Sequence, residues 1–304
     1  MSLAKVVQDR RPAPELEPGA LRGPRMRPGE SVFKWLLMAC LAVGVVFLAV
    51  LLAYIVSEAL PRLDSRLFTN FPDTIDPAAS GGQSAILGTL WVISFTALFC
   101  LPTGIMAAIY LEEYADTNRW YNRLIELNIQ NLAAVPSIVY GILGLGILAR
   151  QMKLGNTVLT GALTLSLLVL PVVIIASREA IRAVPPTIRQ GSLALGATQW
   201  QTIRRQVLPA AVPGIATGSI LALSRAIGEA APLVMLGIAV YVPFNPEGAQ
   251  SQFTALPMQI FFWIRESREE YHYLAAAAIV VLLAILLLMN AAAIWLRNRY
   301  SKRW

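Results

Sequence analysis

Thr187-Ile188-Arg189-Gln190-Gly191-Ser192-Leu193-Ala194-Leu195-Gly196-Ala197-Thr198-Gln199-Trp200, continuing to Leu208-Pro209, is a polar island between two long apolar segments. That position places it at a membrane surface. Its spacing predicts two short helices with a sharp break between them. Thr187 with Gln190 three residues later forms a capping-box pattern, and Thr198 with Gln201 forms a second. Gly196 falls where the first helix needs a residue free to adopt a left-handed conformation. In the second helix Trp200, Ile203 and Val207 share a face, while Gln201, Arg204 and Arg205 point elsewhere. A basic, knuckle-shaped helix pair of this kind suits docking into another protein.

Working outward, the composition explains the flanks. The chain has 304 residues, of which 56% are hydrophobic and 14% charged, against about 25% charged in a soluble domain. Apolar runs over about 35–56, 84–111, 127–149, 154–177, 210–240 and 273–296 each exceed the roughly 20 residues a helix needs to cross a bilayer. In hydrocarbon every backbone polar group must be paired within the segment, so these runs are predicted helices. A β-barrel would alternate apolar and polar residues, and these runs do not. The expected fold is therefore all-α: a polytopic transmembrane bundle of six spans over 32–304, with the short helices at 187–209 and a basic, Pro-rich, disordered tail over 1–31. The run 210–240 is unusually long and predicts a tilt, a kink near Pro213 or Pro232, or a partial break. Gly141, Gly144 and Gly146 in one run, and Gly214 and Gly218 in another, predict close helix packing.

Charge predicts orientation. Of the 25 Lys and Arg residues, 18 fall in 1–34, 111–127, 178–209 and 297–304, and 6 in 57–85, 150–153 and 241–271. The positive-inside rule then puts both termini in the cytoplasm, in a plasma (inner) membrane protein. The same asymmetry accounts for the net charge of +7 without nucleic-acid binding.

Arg225 and Glu229 interrupt the fifth run, four residues apart on one helical face. An Arg at the bilayer centre costs on the order of 2.5–3.5 kcal/mol on insertion scales, so such residues mark ion or substrate pathways more often than not. The planar guanidinium of Arg225 matches an oxyanion, and Glu229 would keep that attraction from becoming a trap. A structural ion pair is the plainer reading, compatible with the first. No P-loop, zinc pattern or nucleophile elbow is present. Catalysis, a metal and a cofactor are therefore not expected in this chain, and any ATP energy must come from a partner. Cys40 and Cys100 read as buried small hydrophobes, His272 as a structural residue, and the aromatic stretch from Phe253 to Trp263 as lying at the outer interface.

The knuckle resembles the EAA loop of bacterial ABC importer permeases, the surface that engages the ATPase. That motif has Glu-Ala-Ala, a Gly four residues on, and Leu-Pro about a dozen later. Gly196, Leu208 and Pro209 fit, while Gln190-Gly191-Ser192 stand at the Glu-Ala-Ala positions and Gln206 at the usual Ile. Asn131–Gly141, Gly228–Leu233 and Gln252–Pro257 look like phosphate permeases of the PstA type, a resemblance running from about residue 80 onward. It implies a type I (MetI-like) importer permease that admits phosphate past Arg225 and Glu229 and is coupled through Gln190, Gly191, Ser192, Gly196, Thr198, Trp200, Leu208 and Pro209. It further implies a PstC-like second permease, two PstB-like ATPase copies carrying ATP and Mg, and a PstS-like external phosphate-binding protein.

Overall fold

The computed structural model describes residues 28–116 and 118–300. Most of the expected tail, up to residue 27, lies outside these residues, as do Lys302 and Arg303. The described residues fall into two compact units that divide between Ala53 and Tyr54. The first holds most of α1 (Pro28–Ala59). Its large apolar side chains, among them Trp35, Leu41 and Phe47, are exposed, a surface that only hydrocarbon or another apolar face can cover. Cys40 is exposed on this rod, contrary to its expected burial, whereas Cys100 is buried as expected.

The second unit is helical. Among the described residues there is no strand, and one isolated bridge pairs Thr157 with Gln252. A short α2 (Ser65–Thr69) is followed by α3 (Gln83–Ile109), which a π turn extends to Tyr114. The central helix is α6 (Val158–Arg182), packed against α3 on one side and α9 (Leu208–Gly228) on the other. α12 (Glu269–Tyr300) closes the chain. Five helices are long and apolar enough to cross a bilayer, α1, α3, α6, the rod ending in α9, and α12.

The third predicted span, 127–149, is not one straight helix. It is α4 (Trp120–Ala133) followed by α5 (Ser137–Leu143), which continues in π-type turns to Gln151, the two halves meeting at 104°. The cause is Pro136, which lacks an N–H and pushes Val135 out of the helical region. The Tyr140 hydroxyl donates to the Leu132 carbonyl across the bend at 2.8 Å, adding to the bond that carbonyl takes from the Val135 N–H.

The run 210–240 is broken too. α9 stops at Gly228, Glu229 is extended (φ −83, ψ 98), and a short α10 (Ala231–Leu236) follows. α10 ends at left-handed Gly237, whose carbonyl accepts from Asn156 Nδ2 at 2.7 Å. The two broken spans meet: α5 packs on α10, and a Cβ on Gly141 would come within 2.6 Å of the Pro232 carbonyl oxygen. On α9, Cβ atoms at Gly214 and Gly218 would sit 2.7 and 2.4 Å from the Cβ atoms of Ala180 and Ala176 on α6. Such approach is what small residues allow in a bundle with little hydrophobic drive between helices.

Much of the aromatic stretch expected at the outer interface packs into the protein, although Phe261 is exposed. Phe253 and Trp263 are fully buried, Phe253 against Gly161, and Trp263 belongs to α11 (Leu256–Arg265). The hole left by a missing side chain is filled by a ring from the loop. Nearby, Tyr241 donates to Glu266 Oε1 at 3.3 Å. Burial first, then the Glu266 charge, pushes the Tyr241 phenol up from 10.0 to about 12. The folded chain thus holds this proton more tightly than the unfolded chain, so stability falls as pH rises from 10 to 12. Tyr241→Phe is expected to flatten that fall in thermal unfolding of detergent-solubilised protein. An unchanged slope would refute the assignment.

Candidate functional site

The elbow consists of α7 (Pro186–Ala194) and α8 (Gln199–Thr202). α7 does not start as the first capping-box pattern predicts. Its N-cap is Pro185, Pro186 opens the helix, and no side chain caps it. Proline at the first helical position carries a preset φ and lacks the donor that a Thr cap would satisfy, so Thr187 is already inside the helix. The second capping box is present: Thr198 Oγ1 accepts from Gln201 N at 3.3 Å, and Gln201 Oε1 accepts from Thr198 N at 3.0 Å. Gly196 has φ +82, with its N–H on Leu193 O at 2.9 Å and the Ala197 N–H on Ser192 O at 3.2 Å. These two bonds form a Schellman motif.

The remaining elbow residues fall as follows. Ser192 and Thr202 hydroxyls are 2.9 Å apart, tying the two helices together. Gln190 and Gly191 are exposed on α7. A pocket of about 420 Å³ opens between the helices, lined by Ile188, Gly191, Ser192, Leu195, Gln201 and Arg205 among others. Trp200 is 53% exposed, while Thr202, Ile203 and Val207 are buried. A π turn over Ile203–Val207 widens the helix there and shifts its buried stripe. Through that turn α8 runs into α9, of which Leu208 and Pro209 are the first residues.

The same 30-residue rod, Gln199–Gly228, carries Arg225. At a rise of about 1.5 Å per residue, the elbow and Arg225 are about 40 Å apart on one continuous helical element. Arg225 Nε donates to Glu229 Oε1 at 3.2 Å. Among the described residues this is the one hydrogen bond the guanidinium makes, and both terminal nitrogens are left for other acceptors. The pair sits where α9 ends and the backbone turns extended. Irregular backbone at membrane depth is tolerated only where protein covers it or water fills the space beside it, so this is where a polar route through the bundle would run.

Sequence reasoning missed a third group of residues. Glu112 and Glu113, in the π turn after α3, face three arginines. Arg182 binds Glu112 through Nε and Nη2, each at 3.0 Å. Arg178 lies 3.5 Å from Glu112 and 3.0 Å from Glu126. Arg189 binds Glu113 Oε1 through Nη2 at 2.9 Å and Nε at 3.1 Å. The signal was available: adjacent carboxylates closing one apolar run, and Arg178 and Arg182 one turn apart closing another. His272 Nε2 is 3.0 Å from the Glu266 carbonyl. Among the described residues no group of His, Cys, Asp and Glu could hold a metal ion.

The sequence matches the profile of the family described as "Binding-protein-dependent transport system inner membrane component" over residues 100–302. It is 34% identical over 196 residues to the "Probable ABC transporter permease protein YqgI" of Bacillus subtilis, covering 64% of this chain and 66% of that protein. It is 36% identical over 183 residues to the "Phosphate transport system permease protein PstA 1" of Mycobacterium tuberculosis, covering 60% and 59%. Among solved structures, the bacterial alginate ABC transporter in complex with its pentasaccharide-bound periplasmic protein superposes with a TM-score of 0.62 at 17% identity, covering 91% of this chain and 99% of that one. At that identity the likeness is one of fold. A match over residues 100–302, running through the elbow, the central helix and the Arg225 rod, shows that the chain belongs to the family of binding-protein-dependent transport system inner membrane components.

Proposed function

We propose that this chain is one of two permease subunits of an ATP-driven importer of inorganic phosphate. The observation that carries the reading is the Arg225–Glu229 pair at the interruption of α9, on the same rod as the elbow. The names of the relatives in Mycobacterium tuberculosis and Yersinia pestis, both phosphate transport system permease proteins, support phosphate as the anion. A PstC-like subunit completes the pathway. Two PstB-like ATPases, which bind ATP and Mg, grip the elbow. A PstS-like protein delivers phosphate from outside, and both termini lie on the ATPase side.

In this reading the elbow residues Gln190, Gly191, Ser192, Gly196, Thr198 and Trp200 form the docking surface, and Leu208 and Pro209 begin the lever. A ligand or motor can shift an equilibrium only by its differential affinity for the two states. ATP-driven closure therefore has to stabilise the outward-open bundle through the elbow, and hydrolysis releases it. Phosphate on the pathway meets the two terminal nitrogens of Arg225, a fork that fits two phosphate oxygens. Glu229, sharing the guanidinium, limits how tightly the anion is held.

Reconstitution of the four-component complex in liposomes tests this. Radiolabelled phosphate uptake is expected to require ATP and to resist a large excess of sulfate or molybdate. Effective competition by either would reassign the anion, and uptake by this chain alone, driven by an ion gradient, would overturn the reading.

A further inference from the structure

Glu113 does two things at one point. Its carboxylate holds Arg189 on α7, and its main-chain carbonyl accepts from the Gln199 side chain at the start of α8. One residue at the end of α3 therefore grips both helices of the elbow. Arg189 extends the junction, donating from Nη1 to Val184 O at 2.7 Å and from Nη2 to Ile181 O at 2.8 Å. Ile181 lies in the last turn of α6 and Val184 just beyond its end. Four elements, α3, α6, α7 and α8, thus converge on one ion pair. It is shielded as well: the side chains are 9% and 22% exposed. Exposed pairs such as Arg182–Glu179, at 53% and 66%, contribute little, whereas removing one member of a shielded pair leaves a charge uncompensated.

The local backbone fits a part that transmits motion. Glu113 lies in the π turn Tyr110–Tyr114, closed by the Ala115 N–H on Tyr110 O at 2.9 Å. The other junction between elbow and membrane, Ile203–Val207, is also a π turn. Such turns insert an extra residue per turn and recur at functional sites. From Glu112, next to Glu113, the contacts pass through Arg178 to Glu126 on α4, the first half of the bent span.

We propose that Glu113 is a positioning residue for transport. Its pairing with Arg189 and its hold on Gln199 lock the elbow to α3, so that movement of the elbow shifts α3, α6 and the bent span as well as the rod that carries Arg225. This rests on the reading of the chain as an ATP-driven permease. The chain itself ties the elbow only to α6, through residues 183–185, and to α9; the Glu113 junction adds α3.

The test is phosphate transported per ATP hydrolysed in the reconstituted complex, measured for Glu113→Gln, Arg189→Gln and the double variant. Each single variant is expected to lower the ratio by about tenfold or more, and the double by no more than the worse single, because all three cut the same junction. Arg189→Lys, which keeps the charge but not the fork, is expected to fall between, and it carries the test if Glu113→Gln does not insert. A merely structural pair would lower the yield or melting temperature of the complex and leave the ratio of the assembled fraction at the wild-type value, and that result overturns the proposal. Additive losses in the double variant overturn it too. If the wild-type complex shows no ATP-dependent uptake, the permease reading fails with it; if the wild type is coupled and Glu113→Gln is equally coupled, this proposal alone fails.

Discussion

Arg225→Ala is expected to abolish ATP-driven phosphate uptake while the chain still inserts and binds its partners. Glu229 occupies only Nε of the guanidinium, so both terminal nitrogens can meet an oxyanion. A hydrogen bond to a charged group is worth about 1.5–3 kcal/mol, and a two-pronged contact in a partly dry pathway sits at the upper end of that range. Losing it corresponds to roughly 10- to 150-fold in the affinity of the pathway for phosphate. Arg225→Lys separates charge from geometry. It retains the cation but offers a point charge in place of the fork, and is expected to keep a minor part of the uptake. Glu229→Gln has the opposite sign in binding. With the competing carboxylate gone, phosphate is held more tightly and released more slowly, so KM and maximal rate should fall together. Initial rates in liposomes across phosphate concentrations separate the three outcomes. Near wild-type uptake by Arg225→Ala would reduce the pair to a structural tie and remove phosphate recognition from this part of α9.

What could be read from the chain follows from the range of the physics involved. Apolar runs longer than a bilayer is thick are self-sufficient signals, which is why α3, α6, α9 and α12 lie where hydropathy puts them. The Gly196 turn and the Thr198–Gln201 box were legible for the same reason: their determinants are local in sequence. The bend after Ala133 depends on Pro136 in a stretch whose composition still reads as a span, and hydropathy averages over it. The exposure of Trp200 beside buried Ile203 and Val207 is not legible from α-helical periodicity, because these residues run into a π turn. An aromatic stretch reads as interfacial from sequence alone, whereas the burial of Phe253 depends on Gly161, almost a hundred residues earlier. Glu113 and Arg189 escaped for a similar reason: each is an ordinary charge at the end of a run, and only the fold brings them within 2.9 Å.

Gly196→Pro is expected to uncouple transport from ATP hydrolysis as severely as any elbow substitution. The position is conformational and not steric: a Cβ on Gly196 would meet nothing within 4 Å, but φ is +82. Proline holds φ near −65° and has no N–H, so it excludes the left-handed turn and deletes the bond to Leu193 O. Both bonds of the Schellman motif depend on that turn, and with them goes the direction in which α8 leaves α7. Because α8 is continuous with the rod bearing Arg225, a re-aimed α8 either tilts the span or breaks away from it; in both cases motor movement no longer reaches the pathway. Ordinary L-residues pay about 1–2 kcal/mol in this conformation, and Asn pays less than most. The series Gly196→Asn, Gly196→Ala, Gly196→Pro should therefore lose transport per ATP in that order, with Asn near wild type and Pro down by about tenfold or more. Membrane insertion, judged by protease protection of the spans, should be the same in all three, since the substitution lies outside the apolar runs. A proline variant that transports phosphate with wild-type efficiency would show that the elbow's shape is irrelevant to coupling, and the lever would have to be sought in the Glu113 junction alone.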